Sequence, residues 1–137
     1  MRRTTTFTAA LFMGAALALP ARVTAQGGGM MKPPATAKKL DDGKSILVDA
    51  KGMTLYTYGR DADGKSACNG QCATNWPPFK AEANAMAMGD WTIVTRDDGS
   101  KMWAYKGKPL YYFARDAKAG DMTGDGMGGG NWKVATP

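Results

Sequence analysis

Two hexapeptides decide how this chain is read: YTYGRD at Tyr56–Asp61 and YYFARD at Tyr111–Asp116. Each spells tyrosine, any residue, an aromatic, any residue, arginine, aspartate. Setting Tyr56 against Tyr111 also carries Lys51-Gly52 onto Lys106-Gly107 and Leu55 onto Leu110. One residue of slippage brings Asp41-Asp42-Gly43 onto Asp97-Asp98-Gly99, and Asn75-Trp76 onto Asn131-Trp132. Each half therefore reads acidic turn, apolar run, Lys-Gly turn, aromatic run, Arg-Asp, polar loop, Asn-Trp. An internal repeat of this kind is one structural unit written twice.

The periods within the unit are those of strands. SILVDAKGMTLYTY (45–58) and SKMWAYKGKPLYYF (100–113) are apolar, β-branched and aromatic runs broken by a glycine-containing turn, the pattern of a β-hairpin. Further strands are expected at Trp91–Arg96 and Trp132–Thr136, two segments that also resemble each other. Tyr56 and Tyr58 point to one face of an extended strand and Leu55 and Thr57 to the other, an arrangement that Tyr111 and Phe113 repeat. Pro109 fits a strand start or edge, where a missing N–H does little harm. Helix is expected only between Phe79 and Met88, where Ala, Glu and Lys favour a turn or two. The fold class that follows is all-β: a small antiparallel sheet, barrel or sandwich built from two related hairpin repeats, about 41–78 and 97–137.

The start of the chain reads as an address. Arg2 and Arg3, the apolar run Phe7–Leu19 and the small residues of Val23–Ala25 form a signal peptide over 1–25, with cleavage before Gln26. The apolar run is short of the roughly 20 residues that a membrane-spanning helix needs, so no transmembrane segment is expected. No cysteine lies near the cleavage point to carry a lipid. Residues 26–39, rich in Gly, Pro, Ala and Lys, read as a flexible leader, and 40–137 as one domain. Taking Arg2, Arg3 and Arg22 from the 18 basic residues leaves 15 against 12 acidic, a net charge of +3. That balance gives no basic stripe and excludes nucleic acid as partner.

The segments TLYTYGRDADGKSACNGQCATNWPPF and PLYYFARDAKAGDMTGDGMGGGNWKVATP resemble the bacterial secreted-repeat or predicted-lipoprotein family, marked by Tyr-x-aromatic-x-x-Asp. Tyr56, Tyr58 and Asp61 match one copy of that motif, and Tyr111, Phe113 and Asp116 the other. Cys68, Cys72, Trp76, Pro77 and Pro78 match its Cys-x-x-x-Cys and Trp-Pro-Pro segment. The resemblance implies kinship and export, and brings no biochemical activity with it.

In an oxidising compartment the pair Cys68 and Cys72 is expected to form a local disulfide that fixes the loop leading into Trp76. Redox chemistry and metal binding are the rival readings; redox pairs usually have two intervening residues, and haem attachment needs a histidine. The chain has no histidine, which disfavours imidazole-based triads and catalytic zinc. Asp61 and Asp116 could meet as a carboxylate dyad; the alternative is that they close turns, as Asp61–Gly64 suggests. Tyr56, Tyr58, Tyr111 and Phe113 read as a packed sheet face plugged by Trp76 and Trp132, with Arg60 and Arg115 paired to the neighbouring acids. Exposed, the same side chains would make a ligand platform.

Methionine is in excess. Met30-Met31, Met86 with Met88, and Met122 with Met127 offer thioethers suited to Cu(I), against the alternative that methionine fills gaps in cores. The loop Asp121–Gly130 lacks the ligand spacing of a calcium loop. The reading of the sequence is a periplasmic or secreted, non-enzymatic binding or envelope-associated module with an unspecified envelope or extracellular partner and no cofactor. A methionine-based copper-handling protein is the alternative, and a carboxylate-dependent enzyme the third.

Overall fold

The computed structural model describes residues 32–137. The expected signal peptide and residues 26–31 of the expected leader, Met30-Met31 among them, lie outside the described residues. Thr36–Lys39 forms strand β1, so the leader read over 26–39 gives way to ordered structure at Thr36. β1 pairs antiparallel with β2 (Ser45–Val48), from Thr36 opposite Val48 to Lys39 opposite Ser45. Its side chains are all exposed; only the backbone of β2 holds it.

The second unit repeats the hairpin as β4 (Trp91–Thr95) and β5 (Lys101–Tyr105). The same acidic turn closes both. Asp42 Oδ1 accepts the N–H of Lys44 at 2.9 Å and Asp98 Oδ1 that of Ser100 at 2.9 Å, while Gly43 and Gly99 take the left-handed φ of +89° and +85°. β6 (Lys108–Pro109) adds to β5 at the edge of this three-stranded sheet, with Pro109 opposite Ala104. The resemblance between Trp91–Arg96 and Trp132–Thr136 is not a structural equivalence, because β4 matches β1 and the later segment pairs elsewhere.

That later pairing defines the architecture. β3 (Tyr56–Tyr58), from the first unit, pairs with β7 (Trp132–Val134), from the second, with Tyr58 opposite Trp132. The reciprocal pairing joins the segment after Trp76 to the tyrosine strand of the second unit: Tyr112 donates to the Pro77 carbonyl at 2.7 Å and Phe79 to that of Leu110 at 2.9 Å. Gly59 donating to Asn131 and Ala114 donating to Asn75 are another matched pair. At the centre Tyr56 and Tyr111 exchange both backbone hydrogen bonds, at 2.8 and 2.9 Å. The units are thus not two hairpins side by side; each lends its last strand to the other.

Strand alternation sends side chains from this centre into two cores. Tyr56, Tyr111, Phe113, Trp76 and Trp132 fill one, with Tyr58 packed against it. Leu55, Leu110, Leu47, Phe79 and Trp103 fill the other. The helix expected between Phe79 and Met88 is absent, since the backbones of Phe79 and Ala81 are drawn into pairing with Trp103 and Lys101. The one helix among the described residues is α1 (Gln71–Asn75), a single turn held beside the Cys68–Cys72 disulfide.

Candidate functional site

The repeated motif is wired across the units. The Tyr56 hydroxyl donates to Asp116 Oδ2 at 2.6 Å, and the Tyr111 hydroxyl to Asp61 Oδ2 at 2.6 Å. Each carboxylate uses its second oxygen on its own loop: Asp61 Oδ1 accepts the N–H of Ala67 at 2.7 Å, and Asp116 Oδ1 that of Thr123 at 3.0 Å together with the Thr123 hydroxyl. The acids therefore pin the loops after the strands by accepting backbone N–H groups, while the turn at 62–65, with Gly64 at φ +71°, closes by its own backbone bond from Lys65 to Ala62. The acids do not form a dyad, for neither shares a hydrogen bond with the other. Burial, reinforced by the carboxylate partners, pushes both phenols well above their usual value. Burial also raises the Asp61 carboxyl, against the lowering by Tyr111 and Ala67. Tyr112 makes a further pair with Asp49, at 2.7 Å.

The aromatics form a four-ring stack that obeys the same pseudo-twofold. Trp76 and Trp132 lie face to face at the centre, 3.8 Å between centroids and 1° between planes. Tyr58 stacks on the outside of Trp132 at 4.2 Å, and Phe113 on the outside of Trp76 at 4.3 Å. Tyr56 and Tyr111 meet the stack edge-on, at 5.3 Å from Trp76 and 5.1 Å from Trp132. The glycine-rich loop packs against it. A Cβ on Gly124 would stand 2.5 Å from the Trp76 ring and 3.0 Å from that of Phe113. The inner ring faces cover one another and only Tyr58, half-buried, and the Trp76–Phe113 edge border openings, which favours the packed-face reading over a broad ligand platform.

Arg96 is the residue that sequence reasoning passed over. It is 5% exposed, and its guanidinium donates to Ser66 Oγ at 3.0 Å, the Cys68 carbonyl at 2.7 Å and Asn69 Oδ1 at 3.3 Å. Ser66 Oγ in turn lies 2.6 Å from the Tyr111 hydroxyl, so a buried cation, a serine, a tyrosine and Asp61 form one chain of hydrogen bonds. Leu40 occupies the corresponding place before the first acidic turn. That mismatch between the repeats was the available signal. Arg60 and Arg115 are exposed, and among the described residues neither bonds to Asp61 or Asp116, whose oxygens are taken by tyrosines and backbone. Arg60 and Arg115 are therefore not paired to the acids beside them, contrary to the expectation from sequence.

Two openings flank the β3–β7 pair. A cleft of about 610 Å³ runs past Tyr58, Asp61, Asn131 and the lysines Lys106, Lys108 and Lys133. A second, of about 390 Å³, shares those lysines on the far side of Thr57. Lys106 has φ +50°, the one left-handed non-glycine residue among those described. Its equivalent, Lys51, does not adopt that conformation. Met86, Met122 and Met127 are exposed, Met86 at 64%, while Met88 is half-buried against the second core. Among the described residues no three acids or cysteines cluster to hold a metal.

No curated protein and no solved structure gives a match. The family described as a secreted repeat of unknown function matches twice, over residues 36–80 and 92–136. Both matched stretches begin at the first strand of a hairpin and run through the strand that is lent away. With two copies of the repeat occupying more than half of its length, and each copy's tyrosine answering the other's aspartate, the chain belongs to the family of secreted repeats of unknown function.

Proposed function

We propose that the chain is an exported, non-enzymatic binding module whose ligand surface is the lysine ridge between the two clefts, and that its ligand is a polyanion of the extracellular or periplasmic space. The observation that carries this reading is the convergence of Lys106, Lys108 and Lys133 on both clefts, with Lys106 held at a backbone conformation that costs a non-glycine residue about 1 to 2 kcal/mol. The two-residue turn between Tyr105 and Lys108 requires that conformation, with Gly107 beside it at φ +84°, and so fixes the point from which the Lys106 side chain leaves. Tyr58, half-buried at the cleft edge, supplies a ring edge for a sugar, and an acidic saccharide fits both features. The test is calorimetric titration with an oligogalacturonate, beside a neutral oligosaccharide of equal length. Binding should weaken with added salt and disappear when all three lysines become Gln. Equal binding of the neutral sugar, or unchanged binding by the triple variant, refutes the reading.

A second reading rests on a separate observation: Met86, Met122 and Met127 are the exposed large apolar side chains among the described residues. Thioethers left in solvent favour Cu(I) capture. Replacing Met86, Met88, Met122 and Met127 by Leu conserves volume and should abolish copper binding in native mass spectrometry while leaving the fold intact.

A further inference from the structure

The buried motif contains a second chemistry. A phenol hydrogen-bonded to a carboxylate at 2.6 Å loses an electron more readily than a free phenol, because its proton can cross to the carboxylate as the electron leaves. Two such pairs are present, Tyr56 with Asp116 and Tyr111 with Asp61. Each phenol ring touches one indole of the Trp76–Trp132 pair edge-on. Those indoles continue through Tyr58 to the cleft edge, every ring within 4.2 Å of the next along that path. Tyr58 is only partly buried, so an oxidant in the cleft meets the end of a continuous stack.

We propose that this stack is a one-electron relay and that Tyr56 is where the oxidising equivalent comes to rest. The partner is a high-potential metal-complex oxidant, acting by outer-sphere one-electron transfer, whose potential exceeds that of the stacked indoles. It takes one electron from the stack and is reduced by one electron. The indole radical cation so formed takes an electron from Tyr56, whose hydroxyl proton passes to Asp116 Oδ2. The products are the reduced oxidant, a restored indole, a neutral Tyr56 phenoxyl and a protonated Asp116.

The choice between the two phenols follows from the one place where the repeats differ in buried charge. Arg96 donates to Ser66, which sits 2.6 Å from the Tyr111 hydroxyl, and it has Leu40 as its counterpart in the first unit. Losing an electron adds positive charge to the site. A buried guanidinium beside Tyr111 opposes that charge, and no cation bonds to the Tyr56–Asp116 pair, whose other partners are Thr123 and Gly124. Gly124, denied a Cβ by the Trp76 ring, brings its N–H to 3.3 Å from the Tyr56 oxygen that becomes the radical centre.

The experiment is oxidation of the folded chain by a photogenerated ruthenium(III) polypyridyl complex, followed by rapid freezing and electron paramagnetic resonance. The wild-type chain should give a neutral tyrosyl signal. Tyr56→Phe should lose most of it, and Tyr111→Phe should keep it. Asp116→Asn retains an acceptor oxygen but takes no proton, so a tryptophanyl signal should replace the tyrosyl one. Should Tyr56→Phe fail to fold, the assignment rests on elimination among the chain's five tyrosines: the Phe variants of Tyr105, Tyr111 and Tyr112 must each retain the signal, and Tyr58→Phe, at the entry to the stack, should lower its yield without changing its line shape. Loss of the signal in Tyr105→Phe, Tyr111→Phe or Tyr112→Phe, a changed line shape in Tyr58→Phe, no tyrosyl signal in the wild type, or a wild-type response from Asp116→Asn overturns the proposal.

Discussion

Removing the hydroxyl of Tyr56 isolates the bond that ties one unit to the other. Tyr56→Phe keeps the ring against Trp76 and deletes a 2.6 Å donor to a buried carboxylate. Asp116 retains the N–H and hydroxyl of Thr123 on its other oxygen, so the loss is one charge-assisted hydrogen bond, about 1.5 to 3 kcal/mol, together with the longer bond that the Tyr56 oxygen accepts from the Gly124 N–H at 3.3 Å. Asp116→Ala removes all three bonds and should cost more. In the double variant the Tyr–Asp bond is lost only once, so the cycle should return a coupling of about 1.5 to 3 kcal/mol. For a domain near a hundred residues, 2 kcal/mol lowers the melting temperature by about 8 to 10 °C. Urea unfolding followed by circular dichroism supplies the four free energies. A coupling below about 0.5 kcal/mol, the level expected of independent sites, would refute the view that the motif joins the units.

Gly124→Ala should destabilise by about 1 to 3 kcal/mol, because the added Cβ meets ring atoms held in a stack rather than a mobile side chain; the same unfolding assay measures it. Thr54→Val should stabilise by about 1 kcal/mol, since Thr54 Oγ1 is buried without a partner and Pro109 fills the equivalent place without a hydroxyl. Raised phenols at Tyr56, Tyr111 and Tyr112 mean that the unfolded chain releases their protons first, so their contribution is whole below about pH 10 and lost as pH rises beyond it. Alkaline titration should show phenolate absorbance from these three appearing together with the loss of circular dichroism. Reducing Cys68–Cys72 should cost about 2 kcal/mol, as the loop is short, and leave the chain folded in a melting experiment.

The repeat, both acidic turns and the disulfide were legible in the sequence because each is a local pattern. Which face Tyr56 and Leu55 take follows from strand alternation alone. The strand facing Tyr56 does not, because alternation names a face and not a partner, so the exchange of β7 for the segment after Trp76 needed the structure. β1 carries no apolar residue beyond Ala37, and its only hold is backbone pairing, which leaves no trace in composition. The segment after Phe79 has helix-favouring residues, yet its backbone groups were claimed by β5. Of the candidate site, the aromatics and aspartates could be named, but not their cross-wiring. Arg96 looked like the polar end of a strand, and only its replacement by Leu40 in the other copy hinted at burial.

Exchanging last strands sets an order in time as well as in space. Tyr56 is made early, but the carboxylate that answers its hydroxyl is Asp116 and the strand that answers its backbone is Trp132–Val134. Until those late residues arrive, the first half has buried-type side chains with nothing to close over them. A polypeptide still emerging from a ribosome or a translocation pore therefore has no stable half-structure to fall into. It remains threadable until it is complete, and its folding is deferred to the far side of whatever it crosses.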